Sequence, residues 1–369
     1  MHVVSASRRC LRDLSFWLTK QTAYAAFAAE FAQTRTAPWP EWAVLREYLR
    51  PDIRVLDAGC GNGRHIAELR QIAAEVVGMD AARELLAFAQ EQHPEVEFVP
   101  GRFEQLPFAH ARFDAVTCIA ALHHLPSQAA RRRALAESLR VLAPGGVLVG
   151  KVWNLDQERF ASERQAARRR SRLLPWWQAD DLVIPWGEQR LPRLYHRFAP
   201  KKLEEALQQA GFIEIELFSV VDGCRADPLA GKNICFAARK PQRLDILEVQ
   251  FDLVDSPTAL QRLHAIASGD TQQLVTTPNP EICVHAQGQS EYQRILQTAD
   301  LSVPDGMGIL WAGEYLHSPA RGVLSSLFGF SRRRRSRFFA HPVCGSDLFR
   351  EFCQSSSEPI FLLGGAPGV

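Results

Sequence analysis

The sequence predicts two consecutive α/β domains, the first a doubly wound and mostly parallel sheet, on three observations. Short apolar strands alternate with helical stretches from Ile53 to about Arg239, which is the rhythm of such a sheet. One of these strands ends on an acidic residue and runs into a G-x-G-x-G turn between Val55 and Gly63. The 369 residues are about twice the usual length of one domain, so a second core is expected.

The strands of the first domain read, in order, "IRVLDA", "EVVGM", "VEFV", "FDAVTCI", "GVLVGKV", "FIEIELF" and "NICFAAR". Only the loop "SVVDGCRADPLAGK" separates the last two, which suits an antiparallel closing pair. Between Trp153 and Pro200 the rhythm breaks for an insertion rich in Arg, Trp and Pro. The boundary "KPQR" then precedes a new strand-like run, "LDILEVQFDLV". These features place a first domain at residues 19–240, with the insertion at 153–200, and a second at 243–369.

A formal charge of +2 supports no argument from global charge, so a nucleic-acid or membrane partner must be met by local patches. The eight cysteines (Cys10, Cys60, Cys118, Cys224, Cys235, Cys283, Cys344 and Cys353) form no C-x-x-C pair and sit mostly in apolar runs, reading as reduced core thiols. The basic start "SASRRC" leads into an alanine-rich stretch broken by Glu30, which is not a signal peptide. No apolar run approaches the roughly 18 residues of a membrane span. A cytoplasmic enzyme is the expectation.

In "VLDAGCGNG" the glycines Gly59, Gly61 and Gly63 leave room for a ligand, and the helix that follows offers free N–H groups. Asp57 precedes the turn and Asn62 lies within it; Asp80 closes the next strand, where a carboxylate can take both hydroxyls of a ribose. Together with "LPF" at Leu106 to Phe108 and "LRVLAPGGVLVG", these features resemble the class I S-adenosylmethionine methyltransferases. The resemblance implies a Rossmann-like seven-stranded sheet and S-adenosyl-L-methionine as cofactor. Where that family usually carries an acid near the adenine amine this chain has Arg102, so Glu104 or a backbone carbonyl is the substitute.

A narrower resemblance covers Tyr24 to Arg239. "YAAFAAEFAQTRTAPWPEW", "CIAALHHL", "VWNLDQE", "LVIPWG" and "RLYHRFAPKKLEEALQQAGF" are similar to the tRNA wobble-uridine carboxymethyl methyltransferases. Esterifying a carboxylate needs no strong general base, because the nucleophile is already an anion at neutral pH. The work falls on cationic and hydrogen-bonding groups, and Arg35, His124, Tyr195, His196 and Arg197 are the candidates for orienting a carboxymethyl group. The bland alternatives are that either histidine caps a strand end and that Tyr195 only packs. The run "ERQAARRRSR", Glu163 to Arg172 near Trp176 and Trp177, reads as a grip on the phosphates of a tRNA anticodon arm, against the alternative of a solvated helix face.

In the second domain "LVTTPNPEICVHA", "LQTADLSVPDGMGILWAGEYL", "VCGSDLF" and "IFLLGGAPGV" resemble the WecG/TagA/CpsF glycosyltransferases. The resemblance implies transfer of an N-acetylmannosamine-type sugar from a UDP donor to a polyprenyl-diphosphate-linked acceptor. Thr277 and Asn279 are the candidates for holding sugar or phosphate oxygens, and Asp305 is the candidate general base, its alternative being a turn-former in "DGMG". The resemblance also implies that the glycine turn after Leu363 opens a second half of the domain, so that only the first half is expected here. "FGFSRRRRSRFF" sets Arg332 to Arg335 between aromatic pairs and suits peripheral contact with an anionic membrane face or a lipid diphosphate, against the alternative of a flexible basic loop.

Overall fold

The computed structural model describes residues 28–174, 177–187, 191–268, 272–317 and 336–356. The chain divides into two compact units, Met1–Pro241 and Gln242–Val369.

The first unit begins with helices α1 (Ala28–Thr34) and α2 (Trp42–Leu45). The sheet is then laid down by β1 (Arg54–Ala58), α3 (Ile66–Arg70), β2 (Glu75–Asp80), α4 (Arg83–Gln92), β3 (Glu97–Pro100), β4 (Phe113–Ile119), α5 (Gln128–Val141) and β5 (Leu142–Trp153). Helix α6 (Ala161–Leu173) and the hairpin β6 (Asp181–Trp186) and β7 (Leu191–His196) form the insertion. Helix α7 (Pro200–Ala210), β8 (Ile213–Val221), β9 (Cys224–Ala226) and β10 (Asn233–Arg239) complete the unit.

Strand order is β3-β2-β1-β4-β5-β10-β8-β9. The first five strands are parallel to their neighbours, while β10 is antiparallel to both β5 and β8. The seven expected strands are joined by an eighth, the three-residue β9, which folds back on β8 in the loop read as a plain connection. Helices on both faces bury the middle of the sheet, so Val55, Leu56, Val116, Leu148 and Val149 are all inaccessible. Local chemistry fixes the helix ends. Ser127 Oγ accepts from the Ala130 N–H at the start of α5, and α7 begins on Pro200 and ends on Gly211 at φ +102°.

The second unit opens with a hairpin, β11 (Arg243–Ile246) and β12 (Val249–Asp252), followed by α8 (Ser256–Ala267). Next come β13 (Val275–Thr276), α9 (Pro280–Ala286), α10 (Ser290–Gln297), β14 (Leu301–Ser302), α11 (Met307–Leu316) and α12 (Gly345–Ser355). Strands β13 and β14 pair in parallel, and Val254, Ala259, Leu301, Val303, Val343 and Leu348 form a core beside them. The run read as one strand from Leu244 is thus two, because Leu247 and Glu248 both take left-handed conformations, φ +53° and +62°, and turn the chain back. Asp252 is buried at the end of that hairpin, where it accepts from Arg243, Arg262 and the Ser302 N–H.

The cysteine reading holds for Cys60, Cys118, Cys235 and Cys283, which are buried thiols, but Cys224, Cys344 and Cys353 are exposed. Cys224 opens the edge strand β9, where no layer covers it. Cys10, Trp176, the Arg332–Arg335 run and the glycine turn after Leu363 lie outside the described residues. No helix among the described residues is long and apolar enough to cross a membrane.

Candidate functional site

A cleft of about 260 Å3 opens over the carboxyl ends of β1, β2 and β4 in the first unit. Its floor at one end is the glycine turn. Gly59 has φ +83°, and a Cβ there would lie 2.5 Å from the Ala121 Cβ, so this position accepts only glycine. The Gly61 N–H donates to Asp80 Oδ2 and the Ala82 N–H to Asp80 Oδ1, both at 2.9 Å. These bonds aim the carboxylate, and since each of its oxygens accepts more than one bond, a ribose hydroxyl can be taken as well.

Asp57 is 1% exposed; its Oδ1 accepts from Thr117 Oγ1 at 2.7 Å, while Oδ2 is buried without a partner. Burial pushes its carboxyl up to about 6, with the Asp80 charge adding and the Thr117 bond opposing. Asn62 donates from Nδ2 to the carbonyl of Arg35 at 3.0 Å, and its Oδ1 is likewise buried and unpartnered. Two orphaned acceptors beside a glycine turn fit the α-ammonium of S-adenosyl-L-methionine, and Asp80 fits its ribose. Phe103 and Leu85 supply apolar wall, and Glu104, bonded by Arg102 at 3.2 Å, lines the cleft as a further acceptor.

The other end of the cleft is cationic and aromatic. His123 and His124 follow β4, and Tyr195 projects from β7 with its ring centroid 4.4 Å from His124, 5.1 Å from His123 and 4.8 Å from Trp153. His124 Nδ1 lies 3.2 Å from the Leu194 carbonyl, and the Trp153 N–H donates to His123 Nδ1. Arg35 reaches the ring of Trp186 at 5.7 Å. Arg64 lies over Trp39 at 5.2 Å, its guanidinium pushed down to about 10 by burial and by the Arg35 charge. Beneath Trp39, Lys151 Nζ bonds Glu41 at 2.9 Å, and Asn233 also donates to Glu41. Burial pushes Lys151 down to about 8 against the pull of Glu41. His65 is 3% exposed and pushed down to about 3 by burial and by the Arg64 and Lys151 charges, so it is neutral at any physiological pH.

Arg35, His124 and Tyr195 therefore share one cleft with Asp57, Gly59, Gly61, Asn62 and Asp80. Gly63, at φ +80° against Ala89, shapes the turn behind it. His196 and Arg197 do not line the cleft. Side chains alternate along β7, so Arg193 and Tyr195 face inward. His196 Nδ1 instead meets Asp181 Oδ1 at 2.7 Å, and Arg197 bonds Asp156 and Asp180, each at 2.7 Å. Both fasten the base of the hairpin. Sequence reasoning missed Arg193, for which the period-two step back from Tyr195 was the available signal. It also missed Trp39 and Trp153, which lie within the segments "TAPWPEW" and "VWNLDQE" that carry the resemblance, and Arg64, which follows the glycine turn.

On α6, Arg164 is tied to the carbonyls of Leu155 and Gln157, and Arg170 lies over Trp177 at 5.6 Å. Arg168, Arg169 and Arg172 are exposed.

In the second unit Thr277, Asn279 and Asp305 come together just past the carboxyl ends of β13 and β14, the place where open α/β sheets bind ligands. Asn279 Oδ1 caps α9 by accepting from the Ile282 N–H, which leaves its amide group for a ligand. Thr277 packs against Gly345 at the start of α12, and the Asp305 N–H donates to the Pro278 carbonyl.

Family comparison matches residues 56–150 to a methyltransferase domain and residues 244–369 to the glycosyl transferase WecG/TagA/CpsF family. The chain is 35% identical over 135 residues to a tRNA (carboxymethyluridine(34)-5-O)-methyltransferase of Arabidopsis thaliana, covering 37% of this chain and 32% of that protein. It is 33% identical over 184 residues to a provisionally named methyltransferase of Encephalitozoon cuniculi, covering 50% of this chain and 81% of that one. The chain thus spans about a third of the tRNA-modifying relative and most of the other. Among solved structures, a SAM-dependent methyltransferase of Methanosarcina mazei aligns with TM-score 0.46 and 20% identity over 56% of this chain and 99% of its own.

Proposed function

We propose that this chain, which belongs to the S-adenosyl-L-methionine-dependent methyltransferases and carries a WecG/TagA/CpsF-family domain, esterifies a carboxylate, the carboxymethyl group on a tRNA wobble uridine. The observation that carries this reading is the polarity of one cleft. Asp57, Asp80 and Glu104 line one end, while Arg35, Arg193, His124, Trp153 and Tyr195 line the other. When bound, S-adenosyl-L-methionine supplies a methyl group on a positively charged sulfur. A carboxylate acceptor is already ionised at neutral pH, so it would need no general base from the protein. The protein's part is alignment and exclusion of water. Arg35, His124 and Tyr195 orient the carboxymethyl group, and His65 in the cleft wall is neutral and adds no charge. The exposed arginines of α6 supply phosphate contacts for the anticodon arm.

For the second unit we infer sugar transfer from a UDP donor to a polyprenyl-diphosphate-linked acceptor, with Asp305 taking the acceptor hydroxyl proton and Thr277 and Asn279 holding donor oxygens. Such an acceptor brings the chain to the inner face of a membrane. The pairing of the two domains favours one other methyl acceptor, a small metabolite or glycan intermediate. Radiolabelled methyl transfer offered bulk tRNA and lipid-linked sugars side by side separates the readings. Label in tRNA alone supports the first, label in the lipid fraction supports the second, and label in neither removes both.

A further inference from the structure

We infer that Arg193 is the group that grips the acceptor's carboxylate, and that Trp186 is the positioning residue that holds it there. The inference rests on the carboxylate-acceptor reading above and assigns its specificity to one guanidinium. A carboxymethyl group and its carbamoylmethyl amide have nearly the same shape and differ by one charge. A neutral hydroxyl such as that of Tyr195 can bond both. Only a cation distinguishes them well, and a planar guanidinium can do so with two parallel bonds.

Among the described residues four arginines line the cleft: Arg35, Arg64, Arg102 and Arg193. Arg102 bonds Glu104. Arg64 donates to the Arg35 carbonyl and lies over Trp39. Arg35 is half-exposed and donates to the carbonyl of its neighbour Thr34. Arg193 is the deepest of the four: it is 6% exposed, on the strand that carries Tyr195, with its guanidinium carbon 5.1 Å from the Tyr195 ring. A charge at such a depth is screened little by water, so a carboxylate arriving beside it gains more than at the surface.

Trp186 lies at the far end of the same hairpin and is reached by both Arg193, at 5.0 Å, and Arg35, at 5.7 Å. It also meets Phe31 of α1 at 5.9 Å, so one indole ties the hairpin to the N-terminal helix behind three residues of the cleft wall, Phe31, Arg35 and Arg193. Its ring offsets the repulsion between the two guanidiniums and limits where Arg193 can point.

The test uses the full chain and two anticodon stem-loop RNAs, one bearing 5-carboxymethyluridine and the other its carbamoylmethyl amide as competitor. The wild-type protein should bind the carboxymethyl RNA at least about tenfold tighter. Arg193→Gln should remove that preference and lower kcat/KM for the carboxymethyl RNA by about ten- to a hundredfold, while S-adenosylhomocysteine affinity stays within about twofold. Arg193→Lys should recover only part of the preference, since it restores the charge without the fork. Trp186→Leu should raise KM about tenfold, and Trp186→Phe should largely restore it. If wild type shows no preference, the carboxylate reading falls and this inference with it. If wild type discriminates and Arg193→Gln discriminates equally well, only the inference is overturned. Loss of S-adenosylhomocysteine binding in Arg193→Gln would overturn it too, by making the residue structural.

Discussion

Asp57→Asn should separate what this carboxylate costs the fold from what it contributes to the cofactor. The side chain is 1% exposed with one oxygen unpartnered, and its pKa is raised from 3.8 to about 6, chiefly by burial. A carboxyl whose folded pKa lies above its unfolded value holds its proton more tightly in the folded state. Its contribution therefore favours folding at low pH and is lost as pH rises through about 6. With these two values the loss between pH 4.5 and 7.5 amounts to about 2 kcal/mol. Asparagine keeps the acceptor for Thr117 and cannot ionise, so the variant lacks this slope. Urea-dependent hydrogen exchange of the β1 and β4 peptides reads the stability of this unit by itself. The stability of Asp57→Asn minus wild type, taken at each pH, should grow by about 2 kcal/mol across that range. At pH 7.5 the same variant should bind S-adenosylhomocysteine at least about tenfold more weakly, because a charge-assisted bond to its ammonium is gone. A stability difference independent of pH would refute the burial argument. Unchanged affinity would refute the placement of Asp57 at the cofactor.

Asp80→Ala should abolish measurable S-adenosylhomocysteine binding by calorimetry while β2 keeps its pairing with β1 and β3, since the change removes a polar contact and little core volume. Methyl transfer to tRNA should fall steeply with salt, and replacing Arg168, Arg169 and Arg172 together should reduce the log–log slope by about two to three; an unaltered slope would leave α6 a solvated face. Asp305→Asn should lower sugar transfer from a UDP donor about a hundredfold or more while leaving methyl transfer intact, and indifference to the change would remove it as the base.

How much of the site was legible in the sequence followed the distance over which each feature is encoded. The glycine turn, Asp57 and Asp80 lie at strand ends whose apolar runs are visible in the chain, and the strand order then carries them to one edge of the sheet. The hairpin was harder. In "RLYHRF" every second side chain of the strand faces the cleft, but which set does so depends on the pairing of β7 with β6; that pairing turns His196 to Asp181, while Arg197 lies past the strand end and meets Asp156 and Asp180. Leu247 and Glu248 gave no turn signal, because neither favours a left-handed conformation on its own; the packing of Leu244, Ile246, Val249 and Phe251 holds it.

By itself the sequence determined the doubly wound sheet of the first unit and the positions of the glycine turn, Asp57 and Asp80 at its strand ends. Each is written in short-range patterns of apolar period, glycine and acid. Only the tertiary structure decided the acceptor end, where Arg35, His124, Trp153, Trp186 and Arg193 arrive from separate segments. It also decided that Lys151 in the centre of the sheet pairs with Glu41, which stands just ahead of α2. A cavity wall is a property of surfaces brought together by packing, and residues far apart in the chain carry no local mark of the neighbour they will meet.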